Sequence, residues 1–193
     1  MLLLSLPIIF NTSYLLSIWL ETVPAHTVIF VQLVLVFAMS ESLATPLVTA
    51  MLATGKIRNY QLLVGGLQLM NLPVSYFLLR AGYPPQIIFI VAICISVACE
   101  MARLYMLRKM IKLPVKDFFT KVYFNVMVVT LVASVLPYLF VTNMETSFVN
   151  FIASCMVCVV STLTSIYLIG CNKDDRKLIH SFLSNIVQKL KRR

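Results

Sequence analysis

Charge is what this sequence is short of. Only 12% of its 193 residues are Asp, Glu, Lys or Arg, about half the share a soluble domain needs to cover its core. With 60% hydrophobic residues and a mean hydropathy of +0.93, an ordinary water-soluble globule is excluded. Alternating ten-residue segments are also missing, which excludes a membrane β-barrel. Histidine is confined to His26 and His180, too isolated to suggest a metal site, and the sequence calls for no metal or other cofactor.

What the sequence has is long apolar blocks. Runs of about 18 or more residues with few charges mark membrane-spanning helices, the one open structure whose backbone is satisfied in lipid. Five full spans are predicted: Thr27 to Ala53, Tyr60 to Leu79, Gln86 to Leu107, Val122 to Val141 and Phe148 to Gly170. A shorter block, Met1 to about Thr12, lacks the basic start and small-residue cleavage site of a signal peptide. It reads as the remaining half of a helix, and the chain as an incomplete gene product. The expected class is an all-α integral membrane protein with five full transmembrane helices and one partial one.

The few charges are distributed by side. Once the spans alternate, 15 of the 16 Lys and Arg residues share one side, Lys56, Arg58, Arg108, Lys109 and Lys121 among them, and only Arg80 lies opposite with Glu21, His26 and Glu145. Positive residues stay cytoplasmic, so the basic loops and the C-terminus are placed inside. A periplasm-dependent reporter fused after Arg193 should be inactive; activity there would overturn the orientation. The net charge of +9 is thus a topology signal, and nucleic acid is not an expected partner.

Two regions follow: a transmembrane part, residues 1–171, and a basic cytoplasmic tail, residues 172–193. In the tail Leu178, Ile179, Phe182, Leu183, Ile186, Val187 and Leu190 recur at three- and four-residue steps. Such an amphipathic helix suits an anionic membrane surface, or packing on the cytoplasmic loops.

Motifs for chemistry are weak. Ala53-Thr54-Gly55-Lys56 ends like a phosphate-binding loop, but Ala50 stands where the first glycine belongs and no strand precedes it. Cys155 and Cys158 have a CxxC spacing inside an apolar helix with no second pair, which reads as buried thiols. The five cysteines lie within spans or at their inner ends, so no periplasmic disulfide framework is implied.

Polar residues inside spans need reasons. Glu41 lies deep in the second block beside Ser40, Ser42 and Thr45, just before Pro46, a proline that permits a kink. It is a candidate proton or cation site, or else a protonated acid bonded to a neighbouring helix. No basic partner is expected at its depth. Glu100 and Arg103, three residues apart near the expected cytoplasmic end of their span, read as a structural ion pair. Gln68, Asn71 and Ser75 share one helix face beside Pro73, and Asn150, Ser154, Cys158, Ser161 and Ser165 form a second stripe. Such stripes line a cavity or bind helices together. The candidate coupling or cavity residues are therefore Glu41, Thr45, Gln68, Asn71 and Ser75.

The segment from Thr45-Pro46-Leu47 through Ala53-Thr54-Gly55-Lys56-Ile57-Arg58-Asn59-Tyr60-Gln61 resembles the polysaccharide (O-antigen type) transporters of the MOP flippase superfamily. So do Asn71-Leu72-Pro73-Val74-Ser75-Tyr76, the following Gly82 and Pro84, and Arg103-Leu104-Tyr105. The Leu20-Glu21-Thr22-Val23-Pro24 turn and Asn172-Lys173-Asp174-Asp175-Arg176 are similar too, so the likeness covers nearly the whole chain. It implies a MATE-like fold of two six-helix lobes around a central cavity, with this chain supplying most of the second lobe and two additional C-terminal helices. It also implies translocation of lipid-linked polysaccharide repeat units for lipopolysaccharide, O-antigen or capsule across the bacterial inner membrane by alternating access. Membrane lipids, the lipid-linked oligosaccharide and a missing N-terminal lobe are the implied partners, and the chain alone is expected to be inactive. A multidrug exporter of the same superfamily and a membrane-embedded glycosyltransferase or polymerase are the alternatives. An enzyme needs acids, His or Arg gathered on an accessible loop; the longest loop, Arg108 to Lys121, offers Asp117 among five bases, so none is expected.

Overall fold

Apolar blocks of this length fold as helices because every backbone N–H and C=O then finds its partner inside the segment. A computed structural model of the chain describes residues 1–55, 57–111, 114, 118–142 and 147–170. All regular structure among them is helical. Lys56, Lys112, Lys116, Asp117, Glu145, Cys171 and the expected tail, with its boundary at 171/172, lie outside the described residues.

Among the described residues eight α-helices run in chain order: α1 Leu2–Phe10, α2 Thr12–Trp19, α3 Thr27–Ala53, α4 Ile57–Leu69, α5 Asn71–Arg80, α6 Ile87–Ile111, α7 Asn125–Thr142 and α8 Phe148–Ser165. A wider π-helical stretch, Phe119–Phe124, leads into α7, and another, Ile166–Gly170, continues α8. Among the described residues five helical segments, with α4 and α5 joined as one and α7 and α8 taken with their π-helical stretches, are long and apolar enough to cross a membrane. At 1.5 Å per residue, the 27 residues of α3 extend about 40 Å, more than the ~30 Å hydrocarbon core. The architecture is that of a multi-pass membrane protein.

The first block, Met1 to about Thr12, forms the short helix α1. A second, unexpected short helix, α2, follows it at a bend of 77°. The reason is local hydrogen bonding. Asn11 Nδ2 donates to the Pro7 carbonyl at 2.9 Å, and Thr12 Oγ1 donates to the Ile8 and Ile9 carbonyls at 2.6 and 3.0 Å. Gln32 Nε2, from α3, adds a bond to the Ile9 carbonyl at 3.1 Å. These side-chain bonds support the carbonyls at the break, the Pro7 carbonyl also accepting the Asn11 amide at 3.1 Å, and Thr12 and Asn11 are buried while doing so.

The chain divides into two compact units, Met1–Phe119 and the part from Thr120 onward. In the first, α6 packs on α3, α4 and α5, and α1 and α2 lie against α3. One stretch of its α3–α6 seam is apolar: Ala44, Leu47 and Met51 from α3 and Leu104 and Leu107 from α6 are buried. Helix α5 ends cleanly at Gly82, whose φ of 89° suits a residue without Cβ. There the Tyr83 and Gly82 amides bond back to Leu78 and Leu79 at 3.2 and 3.1 Å, a Schellman end. At the same end of this unit Gln86 Nε2 and His26 Nδ1 are 3.0 Å apart, joining the turns before α6 and α3.

In the second unit α7 packs on α8. Ser154, Cys158, Ser161, Thr162 and Ser165 of α8 are buried, facing an α7 side that buries Val129, Ala133 and Pro137. Ser161 Oγ donates to the Ala133 carbonyl at 2.9 Å, an approach that alanine's small side chain permits. This stripe is a packing seam of small and polar residues. Cys155 and Cys158 are free thiols.

Candidate functional site

The site grows from one helix face. Ser96, Cys99, Glu100 and Arg103 fall at i, i+3, i+4 and i+7 of α6, so they stand above one another on a single side. All four are buried, with Glu100 4% and Arg103 3% exposed. Burying two ionisable side chains in the middle of a membrane-length helix costs about 2.5–3.5 kcal/mol each on insertion scales. Such a cost points to a compensating network.

Glu41 of α3 enters that network. Ser96 Oγ donates to Glu41 Oε1 at 2.5 Å, and the Ser40 hydroxyl lies 3.5 Å from the same serine oxygen. Because the serine hydroxyl is the donor, one carboxyl oxygen suffices as acceptor. The other oxygen is not needed for that link. Cys99 Sγ donates to the Val64 carbonyl of α4 at 3.9 Å and lies within electrostatic range of Arg103, Glu41 and Glu100. Three helices therefore meet at two carboxyls, Glu41 half-buried and Glu100 buried, with a thiol, two hydroxyls and a guanidinium.

Arg103 is the least satisfied member. Its Nε and Nη1 are buried without a hydrogen-bond partner among the described residues. It stands seven residues, about two helical turns, along α6 from Ser96. Glu100 is the 14th of the 25 residues of Ile87–Ile111, and α6 continues past it through Arg108 and Lys109.

The other sequence candidates are not gathered here. Thr45 and Gln68 are exposed, Asn71 is half-buried and Ser75 is buried. Ser75 Oγ donates to Asn71 Oδ1 at 3.1 Å, so two members of that stripe satisfy each other along α5. No hydrogen bond joins any of the four to Glu41 among the described residues. The residues missed from sequence are Ser96 and Cys99. Their i, i+3 spacing ahead of Glu100 and Arg103 was the available signal.

Among the described residues no group of three or more His, Cys, Asp or Glu side chains is placed to hold a metal ion. No known protein family, curated protein or solved structure matches this chain.

Proposed function

We propose that the chain is part of a transporter that moves lipid-linked polysaccharide repeat units across the bacterial inner membrane by alternating access, with Glu41 as its coupling group. The carrying observation is the Glu41–Ser96 bond at the buried α3–α6 seam. It holds an ionisable group at mid-helix, where a structural role alone would be filled more cheaply by an apolar residue. The resemblance of the Thr45–Gln61 and Asn71–Tyr76 segments to polysaccharide transporters supplies the substrate class. In that reading the helices described here belong to the second lobe of a MATE-like fold, and transport requires a first lobe to complete the cavity. The tail is cytoplasmic, as the basic loops are.

The role of Glu41 follows from its surroundings. With Ser96 holding one oxygen, the carboxyl keeps its place whether or not the other oxygen bears a proton. Rearrangement of the lobes exposes it to each side in turn, so that it loads a proton or cation on one side and releases it on the other. Cells lacking the gene should accumulate lipid-linked repeat units on the cytoplasmic face and show no surface polysaccharide, with both restored by the gene. Normal surface polysaccharide in the deletion strain would refute the proposal.

A further inference from the structure

The basic end of the first unit holds a hollow that the coupling cluster does not use. Helix α3 stops at Ala53, Gly55 adopts a left-handed φ of 71°, and α4 starts at Ile57. That tight reversal sets Arg58 beside the last turns of α6. Arg58, Asn59 and Lys109 rim a cavity of about 420 Å³ whose remaining walls include Met106 and Met110. A second hollow, also about 420 Å³, adjoins it through Met110 and is bounded by Ala50, Ala53 and Ile111. The first is cationic at its rim; the second has no charged residue in its lining, which is four apolar residues and Thr54.

Two details give the pair a definite chemistry. Lys109 Nζ sits 4.7 Å from the centre of the Tyr105 ring, a cation–π contact that holds the ammonium at the cavity mouth. Both hollows lie at the ends of membrane-length helices, the depth of lipid headgroups. Methionine side chains adapt their shape to flexible apolar guests. A free inorganic anion would satisfy the bases but leave the apolar hollow unfilled; a phospholipid fills both.

We infer that this end of the α3–α6 pair binds one anionic phospholipid, its phosphate held by Arg58 and Lys109 and an acyl chain by the hollow at Met110. Each base near a lipid surface is worth about 1 kcal/mol, so removing both should weaken binding roughly thirtyfold.

The test uses the full-length protein in detergent, titrated with phosphatidylglycerol, with phosphatidylcholine of the same acyl chains, and with inorganic phosphate. Bound lipid is counted by native mass spectrometry and thermal unfolding is followed in parallel. The expected result is one tightly retained phosphatidylglycerol, a raised unfolding temperature, and loss of both in Arg58→Gln/Lys109→Gln. Arg58→Lys should retain them. The control Arg108→Gln/Lys121→Gln removes equal charge from exposed positions outside the cavity and should bind as wild type. Equal loss in that control would show diffuse charge attraction and overturn the site. Undiminished binding by the Arg58/Lys109 variant would also overturn it, and so would a thermal shift reproduced by phosphate or phosphatidylcholine.

Discussion

Replacing Glu41 with glutamine is expected to lower polysaccharide export at least tenfold and to remove its dependence on pH, while the amount of protein in the membrane stays unchanged. Glutamine keeps the size of the side chain and an oxygen to accept the Ser96 hydroxyl, now 2.5 Å from Glu41 Oε1. What it removes is the proton. A packing role would survive this exchange; a coupling role would not. Export should be measured with the complete transporter, across pH 6 to 8, beside Ser96→Ala as a companion. That second variant deletes the donor and leaves the acid, so it should weaken export without abolishing its pH response. A Glu41→Gln variant with normal rate and normal pH profile would reduce Glu41 to a hydrogen-bonding group in the seam.

The second large effect concerns stability. Ala133 is fully buried in α7, and its carbonyl accepts the Ser161 hydroxyl of α8 at 2.9 Å. In lipid no hydrophobic drive holds two helices together; close backbone approach and hydrogen bonds do so. Ala133→Leu forces three extra carbons into a contact with no space and pushes the helices apart. A cost of about 1–3 kcal/mol is expected for overpacking of this kind, with the loss of the interhelical bond added. Thermal unfolding in detergent should show the drop. Leu131→Ala, at a position 57% exposed, should leave the unfolding temperature nearly unchanged. Equal behaviour of the two variants would remove the seam as the source of cohesion in this unit.

These two sites differ in how far the sequence discloses them. The spans are readable because twenty apolar residues in a row have few other fates. The α8 stripe is readable because small and polar residues at helical spacing stand out among Ile, Val and Leu. Glu41 is conspicuous for the same reason. Its partner is less so, because Ser96 is one small hydroxyl at the start of the short Ser96–Arg103 face of an otherwise apolar α6, and that face does not say which neighbour it meets. Only the packing of α6 on α3 selects Ser96. That α6 runs on to Ile111 is hidden because Arg108 and Lys109 look like the end of a span. Their long aliphatic stems let a helix continue while their charges reach water. The elbow at Asn11 escapes for another reason. A break held by Asn and Thr side chains bonded to their own backbone has no strong signature in an otherwise helical block.

That elbow bears on how the chain enters the membrane. A newly made segment leaves the insertion machinery before its later neighbours exist, and a bent helix with bare carbonyls would be held back in a watery channel. Here Asn11 and Thr12 cap Pro7, Ile8 and Ile9 from within the segment itself, so α1 and α2 can pass sideways into lipid already bent. Gln32 reaches the Ile9 carbonyl only when α3 follows, acting as a latch on a shape that precedes it. Three of the side-chain bonds at the bend are thus local to its own segment, and one comes from a helix made later.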